Sequence, residues 1–222
     1  MKVAVFGASG MVGQGVLRAC LLDEAVTEVV AVVRRPLGAP HPKLREIVHT
    51  DFTDLSAVAD ALGAPDACFY CLGISSAGLA EAEYTVITHD YTLAAAETLL
   101  ARNPALTFVY VSGSGADSTE SGSTMWARVR GRTENALLAL SPRARVIRPG
   151  YIRPRHGARS RTRSYRVLYA TTSWLYPLFH RLLPRHTTTT DTLGRAMLAL
   201  ARTTDEDLPR ILTSEHVNRL GA

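Results

Sequence analysis

The chain begins with apolar runs that alternate with a helical pattern. The first apolar run, Lys2–Phe6, ends in a glycine, and a second apolar run follows at Val29–Val33. Between them, apolar positions three and four residues apart extend over about Met11–Leu22. Short β-branched runs predict buried strands, whereas the spacing of three and four predicts a helix with one buried face. The chain up to Val33 therefore predicts a strand, a helix and a second strand.

The same alternation continues as far as Pro149. Further strands are predicted at Glu46–His49, Ala67–Cys71, Thr107–Val111 and Arg145–Ile147, and further helices at about Leu55–Leu62, Ala80–Arg102 and Trp126–Leu140. Strands that alternate with helices are typical of a parallel sheet, and strands that are apolar throughout suit a sheet covered on both faces. The sequence thus predicts an α/β fold with a Rossmann-type, doubly wound parallel sheet.

After Pro149 the pattern becomes irregular. The predicted elements there are an extended connection at Thr187–Thr190, a helix at about Thr192–Arg202 capped by Asp191, and a short strand at Arg210–Leu212. Because the regular alternation stops here, we interpret residues 1–222 as a single domain in which about 151–190 forms a small substrate-side or interface region.

The segment Val167–Pro184 is apolar and aromatic, but Pro177 interrupts it. A membrane-spanning helix needs about 20 mostly apolar residues. We therefore predict no membrane span and interpret this segment as a buried or interface-forming helical region, which makes it a candidate surface for a partner, including a second copy in a homodimer.

Composition indicates one globular domain with a local excess of positive charge. The chain has 222 residues, of which 46% are hydrophobic and 20% charged, and its formal net charge is +5. The excess arginines follow Arg143, which favours a local anionic partner. Cys20, Cys68 and Cys71 are odd in number and lie in apolar runs, which favours reduced core thiols over a disulfide framework or a metal site. Reduced thiols predict a cytoplasmic protein, and we expect no secretory signal at the N-terminus.

A glycine-rich loop directly follows the first predicted strand. Gly7, Gly10 and Gly13 stand in the stretch GASGMVG, which opens the first helix, and Ser9, Met11 and Val12 complete it. In a dinucleotide-binding motif one glycine allows the sharp turn, one lets backbone amides approach the pyrophosphate, and one permits close packing of helix on strand. Because strand, loop, helix and second strand follow in the required order, we predict that these six residues bind a nicotinamide dinucleotide.

Arg34 and Arg35 stand at the end of the second strand, where an NAD-selective site has an acidic residue against the adenosine ribose. Guanidinium groups match phosphate geometry, so this position favours the 2′-phosphate of NADP(H) over NAD(H). Asp51 and Phe52 follow the third strand, where a carboxylate and a ring can border the adenine. We assign all four residues to cofactor binding.

These motifs together resemble one superfamily. They are the glycine loop, Arg34-Arg35, Asp51-Phe52, Cys71-Leu72-Gly73, Val111-Ser112-Gly113 and Arg148-Pro149-Gly150. The chain resembles atypical short-chain dehydrogenases/reductases, in particular bacterial proteins named NAD-dependent epimerase/dehydratase-like, and more distantly the Tat-interacting reductase-like group. The resemblance implies that Cys71, Leu72 and Gly73 lie beside the ribose of the cofactor, and that Pro149, Gly150, Tyr151 and Ile152 lie near its nicotinamide.

The reaction centre of that superfamily pairs a serine or threonine after the fifth strand with a Tyr-x-x-x-Lys on the next helix. Here the resemblance implies that Trp126 occupies the tyrosine position and Arg130 the lysine position, with Ser112 or Ser114 beside the serine position. Indole cannot serve as a proton donor of useful pKa, whereas arginine keeps the charge and can hold a ribose hydroxyl. Whether the chain catalyses a reaction therefore stays open at this point.

By position, four other residues are candidates to replace the missing tyrosine as the acid: Tyr84, Tyr91, Tyr151 and His156. Each of them suits packing or the rim of a site better than the role of acid. The arginine-rich stretch, which contains Arg153, Arg155, Arg159, Arg161, Arg163 and Arg166, suits an anionic small molecule or plain solvated charge. We do not favour nucleic acid, because no nucleic-acid-binding motif accompanies it.

The sequence leaves two functions open. One is an NADP(H)-binding oxidoreductase or epimerase with a degenerate Ser/Tyr/Lys centre, acting on an unidentified small carbonyl, hydroxyl or sugar-like substrate. The other is a non-catalytic NADP(H)-binding redox sensor or regulatory protein.

Overall fold

A seven-stranded parallel sheet organises the computed structural model, which describes residues 1–38, 40–158, 186–203 and 207–222. The strands are β1 (Lys2–Phe6), β2 (Glu28–Val33), β3 (Leu44–Val48), β4 (Ala67–Tyr70), β5 (Thr107–Val111), β6 (Arg145–Arg148), β7 (Tyr151–Arg153), β8 (Thr187–Thr189) and β9 (Ile211–Thr213). The main sheet has the order β3-β2-β1-β4-β5-β6-β9, and β7 pairs with β8 in a separate parallel ribbon. The order reverses between β1 and β4, which creates a crevice at the carboxyl ends of these two strands.

Helices connect the strands on both faces of the sheet. They are α1 (Met11–Leu22), α2 (Ala59–Leu62), α3 (Glu81–Thr85), α4 (Tyr91–Arg102), α5 (Met125–Leu140), α6 (Thr190–Arg202) and α7 (Ser214–Leu220). A 3₁₀ turn at Ser56–Val58 precedes α2, and a π-helical turn at Val86–Asp90 joins α3 to α4. The segment 81–102 is thus continuous helix with one widened turn.

Alternate residues of the buried strands supply two cores. In β1, Val3 and Val5 pack on the face covered by α1 and α6, whereas Ala4 and Phe6 pack on the face covered by α4 and α5. A strand buried on both sides has no polar face, which is why its sequence is apolar throughout. The predicted Rossmann-type, doubly wound sheet is confirmed.

The structure differs from the sequence-based prediction mainly after Pro149. Thr187–Thr189, expected to be a connection, forms β8, and the N-cap of α6 is Thr189 rather than Asp191. The Thr189 hydroxyl accepts a hydrogen bond from the amide of Thr192 at 3.0 Å, which places Asp191 in the first turn. Strand β7 and helix α7 were not predicted.

Several other predictions concern composition and partners. The apolar segment Val167–Pro184 and the arginines from Arg159 to Arg166 lie outside the described residues. The three cysteines are free thiols. None of the helices in the described ranges is long and apolar enough to cross a membrane. The substrate-side role of about 151–190 stays a prediction.

Candidate functional site

The glycine loop between β1 and α1 is closely packed on one side and open on the other. Gly7 has φ +79°, and a Cβ there would lie 2.5 Å from the backbone nitrogen of Leu72. A Cβ on Gly13 would lie 2.0 Å from the carbonyl oxygen of Gly7. Gly10, the N-cap of α1, would bring a Cβ no closer than 3.3 Å to that oxygen. The loop therefore requires glycine at positions 7 and 13 for its own packing, whereas a side chain at position 10 would make one tight contact with the loop backbone.

The N-terminus of α1 is suited to an anion. No side chain caps this helix, and its first turn contains no acidic residue. The backbone N–H groups of a first helical turn have no partner within the helix, and the helix dipole adds partial positive charge there. Ser9, Met11 and Val12 surround this helix start, so the six predicted loop residues lie together where a pyrophosphate can bind.

The other wall of the crevice is the chain that leaves β4. Cys71 and Leu72 contact the back of Gly7, and Gly73 is exposed at the opening. Burial raises the pKa of the Cys71 thiol to about 12, so it is neutral at physiological pH. Cys71 therefore contributes shape rather than a charge to this wall.

Arg34 and Arg35 directly follow β2 and are exposed. In the part of the chain that the structure describes, neither guanidinium has an ion pair or hydrogen bond. The loop after them is anchored, because the amide of Leu37 donates to Glu46 Oε2 at 2.8 Å. The carboxylate of Glu46 is thus engaged with the backbone of Leu37. The side chains of Arg34 and Arg35 have no partner among the described residues.

Asp51 and Phe52 differ in their access to a ligand. Asp51 is exposed, and hydrogen bonds from the Thr53 hydroxyl and amide lower the pKa of its carboxyl. Phe52 is only 2% exposed, with its ring centroid 6.3 Å from that of Phe6 and 5.7 Å from that of Tyr91. The expectation that the Phe52 ring borders the adenine needs correction: its ring belongs to the core, where it is removed from water, and only its backbone can face a ligand.

A second part of the site is a cleft of about 470 Å³ at the carboxyl ends of β4, β5 and β6. Its lining consists of Ile74, Ser75, Ser76, Tyr84, Gly113, Ser114, Trp126, Arg130, Pro149 and Gly150. The structure thus brings together five residues that the sequence proposed for the reaction centre and the nicotinamide: Ser114, Trp126, Arg130, Pro149 and Gly150. Tyr151 and Ile152 continue into β7, and neither lines the cleft.

Arg130 is the positively charged residue among those that line this cleft. Its Nε donates to the Tyr84 hydroxyl at 3.0 Å, and its terminal nitrogens lie beside Gly113 and Gly73, where a Cβ would be 3.5 Å and 4.0 Å away. Burial opposes the charge on Arg130, but the nearby Tyr110, Tyr84 and Glu134 outweigh it and raise the pKa above the ordinary value. Arg130 is therefore a fixed cation, and its terminal nitrogens have no hydrogen-bond partner within the described residues.

Ser112 and Ser114 face different surroundings. The Ser112 hydroxyl donates to the fully buried Glu134, which also accepts two hydrogen bonds from Arg148 Nε at 2.9 and 3.1 Å. Ser112 is therefore engaged in a buried network beneath the cleft and does not line it. Ser114 is exposed and does line the cleft.

Sequence reasoning underrated Tyr84 and missed the cleft residues Ile74, Ser75 and Ser76. Tyr84 was considered mainly as a packing residue, and no sequence spacing relates it to Arg130, 46 positions away. Of the other substitutes, Tyr91 packs against Phe52, and His156 contacts Asp191 at 3.2 Å. Neither lines the cleft.

The glycine loop at the strand-order reversal, with the cleft beside it, is the arrangement of a Rossmann-type dinucleotide-binding fold. The chain belongs to the NAD dependent epimerase/dehydratase family, whose model matches residues 3–126, more than half of the chain. The family resemblance predicted from the sequence motifs is confirmed.

Curated relatives include proteins of two filamentous fungi. Protein fmp52, mitochondrial, of Emericella nidulans is 34% identical over 161 residues, which cover 68% of this chain and 66% of that protein. Protein fmp52, mitochondrial, of Aspergillus fumigatus is 30% identical over 159 residues, with 68% and 66% covered. The match thus spans 66% of the length of these relatives, slightly less than two thirds.

Solved structures share the fold at low identity. An oxidoreductase of the short-chain dehydrogenase/reductase family from Burkholderia thailandensis has a TM-score of 0.66 at 17% identity, covering 95% of this chain and 89% of that one. The Bordetella bronchiseptica enzyme WbmF, solved in complex with NAD+, has a TM-score of 0.68 at 18% identity, covering 95% and 71%.

The expected cytoplasmic location is contradicted, because the curated relatives are named as mitochondrial proteins. The expectation rested largely on reduced cysteines. Free thiols distinguish reducing from oxidising compartments and do not distinguish one reducing compartment from another.

Proposed function

We propose that the protein is an NADP(H)-binding oxidoreductase that acts on a small carbonyl, hydroxyl or sugar-like substrate. The preference for NADP(H) rests on one observation: Arg34 and Arg35 are exposed and have no partner among the described residues at the end of β2, where the adenosine ribose edge of a Rossmann-bound dinucleotide lies. Free guanidinium groups can form charge-assisted hydrogen bonds with a 2′-phosphate.

The chain offers groups for each part of the cofactor. The first turn of α1 with Gly7, Gly10 and Gly13 would hold the pyrophosphate, and the terminal nitrogens of Arg130 would hold the nicotinamide ribose. Pro149 and Gly150 would border the nicotinamide, next to the substrate cleft. When bound, the cofactor supplies or accepts a hydride. The residues of the chain orient the substrate and donate or accept the proton.

Calorimetric titration with NADPH and NADH tests the cofactor preference. A hydrogen bond to a charged group contributes about 1.5–3 kcal/mol, which is about tenfold to a hundredfold in affinity. We expect NADPH to bind at least about tenfold more tightly than NADH, and the double variant Arg34→Ala/Arg35→Ala to lose this preference while keeping its affinity for NADH. Arg219→Ala removes an exposed arginine from α7 and is the control. Equal affinities in the unmodified protein, or a parallel loss of both in the double variant, would refute the NADP(H) assignment.

A non-catalytic NADP(H)-dependent sensor or regulator is the second candidate, and Trp126 favours it. This residue lines the cleft at the position where the superfamily has its proton-exchanging tyrosine. NADPH oxidation with a panel of aldehydes and ketones, measured at saturating cofactor, separates the two. Turnover with any panel member supports the enzyme, whereas tight binding without turnover supports the sensor.

A further inference from the structure

We propose that Tyr84 is the proton donor of this site and that Arg130 holds it in place. This pair, which comes from two different helices, replaces the tyrosine and lysine of the superfamily's Tyr-x-x-x-Lys. The proposal rests on the proposed oxidoreductase function. It assigns Tyr84 as a catalytic residue for the reduction of a carbonyl group, and the reverse role, as proton acceptor, for the oxidation of a hydroxyl.

The contact between the two side chains determines what the Tyr84 hydroxyl can still do. Its oxygen accepts a hydrogen bond from Arg130 Nε at 3.0 Å. Within the described residues, the O–H of Tyr84 donates to no protein acceptor, although the residue is only 1% exposed. The bond from Arg130 satisfies the oxygen as an acceptor, so the O–H proton remains available for a further acceptor. Since Tyr84 lines the cleft, a substrate oxygen in the cleft is the acceptor that fits.

Arg130 suits the product of proton transfer. It is a cation that burial among Tyr84, Tyr110 and Glu134 does not discharge, because these neighbours raise its pKa. When Tyr84 gives up its proton, the negative phenolate oxygen forms 3.0 Å from the Arg130 nitrogen that already donates to it. A preorganised donor aimed at a developing charge stabilises that charge without reorganisation.

Other candidate donors are less suitable. Trp126 lines the cleft, but its N–H does not titrate usefully. The Ser112 hydroxyl already donates its proton in a hydrogen bond to Glu134. Tyr110 does not line the cleft, and burial raises the pKa of its hydroxyl to about 12. Among the titratable residues that line the cleft, Tyr84 is thus the one whose hydroxyl both faces a fixed cation and has a proton to donate.

The helix that carries Tyr84 has an unusual geometry immediately after it. Tyr84 lies in the last turn of α3, and the π-helical turn Val86–Asp90 begins two residues later and packs against α5, the helix of Arg130. Single π-helical turns inside α-helices are rare and occur frequently at functional sites. The widened turn and α3 both pack against α5, the helix from which Arg130 contacts Tyr84.

The proposed step combines a proton from Tyr84 with a hydride from the cofactor. Bound NADPH would supply the hydride, with its two electrons, to the carbonyl carbon and would leave as NADP+. The C=O π electrons would move to the oxygen, which would take the proton of Tyr84, so that the carbonyl is reduced to an alcohol. The Tyr84 phenolate, paired with Arg130, is reprotonated from water.

Two measurements on Tyr84→Phe test the proposal, with Tyr91→Phe as the matched control on the same continuous helix. The first is the turnover of NADPH with a carbonyl panel of diacetyl, benzaldehyde and cyclohexanone. General acid catalysis typically contributes about 100- to 10,000-fold, so Tyr84→Phe should lose at least about a hundredfold in turnover. NADPH affinity should stay within about twofold of the unmodified protein in both variants, because neither hydroxyl is assigned to the cofactor.

The second measurement does not depend on turnover. In protein labelled with ¹³Cζ-tyrosine, the Tyr84 signal is assigned by its absence from Tyr84→Phe. NADP+ and a ketone cannot exchange a hydride, so adding diacetyl or cyclohexanone to the NADP+ complex should shift the Tyr84 signal and leave that of Tyr91 unchanged. Full turnover in Tyr84→Phe, or no shift with either ketone, would overturn the role of Tyr84. Absence of NADPH binding to the unmodified protein would instead overturn the proposed function.

Discussion

At the scale of single residues, the glycines of one motif meet different surroundings and should respond differently to the same change. A Cβ on Gly13 would lie 2.0 Å from the Gly7 carbonyl oxygen. This oxygen belongs to the backbone and cannot rotate away as a side-chain atom can. At Gly10 the nearest atom would be 3.3 Å away and φ is −81°, a value open to any residue. Packing thus requires glycine at position 13, whereas Gly10 is the position where we propose that the pyrophosphate approaches.

We therefore expect Gly10→Val to abolish measurable NADPH binding, because the side chain would occupy the space proposed for the pyrophosphate. The free energy of unfolding should change by about 1 kcal/mol or less, since the one close contact of the new Cβ is 3.3 Å from the Gly7 carbonyl oxygen. Gly13→Ala should instead destabilise the protein by about 1–3 kcal/mol, the usual cost of inserting atoms into a packed region. Urea denaturation and calorimetry on both variants make the comparison. Folded Gly10→Val that still binds NADPH normally would contradict the assignment of this loop.

The motif residues could be predicted from the sequence because their spacing along the chain fixes their place in space. Gly7, Gly10 and Gly13 lie within one turn and one helix start, and Trp126 and Arg130 are four residues apart on one helix, so both sets are local. Tyr84 meets Arg130 only through the packing of α3 on α5. No local sequence pattern encodes such a contact. Sequence reasoning therefore could not single out Tyr84 as the proposed proton donor.

At the scale of elements, the crossing of α1 and α6 depends on small residues from both helices. A Cβ on Gly15 would lie 2.5 Å from Cβ of Thr190 and 2.8 Å from its carbonyl oxygen, and one on Gly194 would lie 2.7 Å from Cβ of Ala19. This close approach positions the start of α6, and the chain before it, next to the helix that carries the cofactor loop.

Gly15→Ala should therefore push α6 away from α1 and lower the free energy of unfolding by about 1–3 kcal/mol, because the new methyl group meets backbone as well as side-chain atoms. Gly10→Ala, at an open position at the start of the same helix, is the control and should change stability little. Chemical denaturation followed by circular dichroism measures both. Equal stability of the two variants would mean that α6 is not held against α1 as closely as described.

Elements buried on two faces were the most predictable, and those formed by distant pairing were the least. β1, β5 and α1 match their predicted bounds because an apolar run or a helical spacing marks each one. Strand β7 is three residues long and forms only by pairing with β8, 36 positions further on, between Tyr151 and Thr187. Such a strand has no pattern of its own, and neither does the π-helical turn at Val86–Asp90.

At the scale of the whole molecule, one ion pair joins segments 179 positions apart in the chain. Asp23, the C-cap of α1, accepts a hydrogen bond from Arg202 near the end of α6, and its carboxyl also accepts from the Ala25 amide at 3.0 Å. The hydrogen bond from Arg202, aided by the Ala25 amide, holds the pKa of the Asp23 carboxyl below its ordinary value. Asp23 is 22% exposed, so water reduces what the pair contributes.

A carboxyl whose pKa is lower in the folded state stabilises the protein above its unfolded-state pKa, and that contribution is lost as the pH falls through the folded-state value. The unfolded-state pKa of an aspartate is about 3.9. Asp23→Asn should therefore lower the free energy of unfolding at pH 7 by up to about 1 kcal/mol, the range for partly exposed pairs, and this difference should shrink as the pH falls below about 4. Glu24→Gln, which removes the same charge from the exposed neighbouring position, is the control. Urea denaturation at pH 7, 5 and 3 makes the measurement. A difference between Asp23→Asn and the unmodified protein that stays constant over this range would show that the Asp23 carboxylate does not carry the link between α1 and α6.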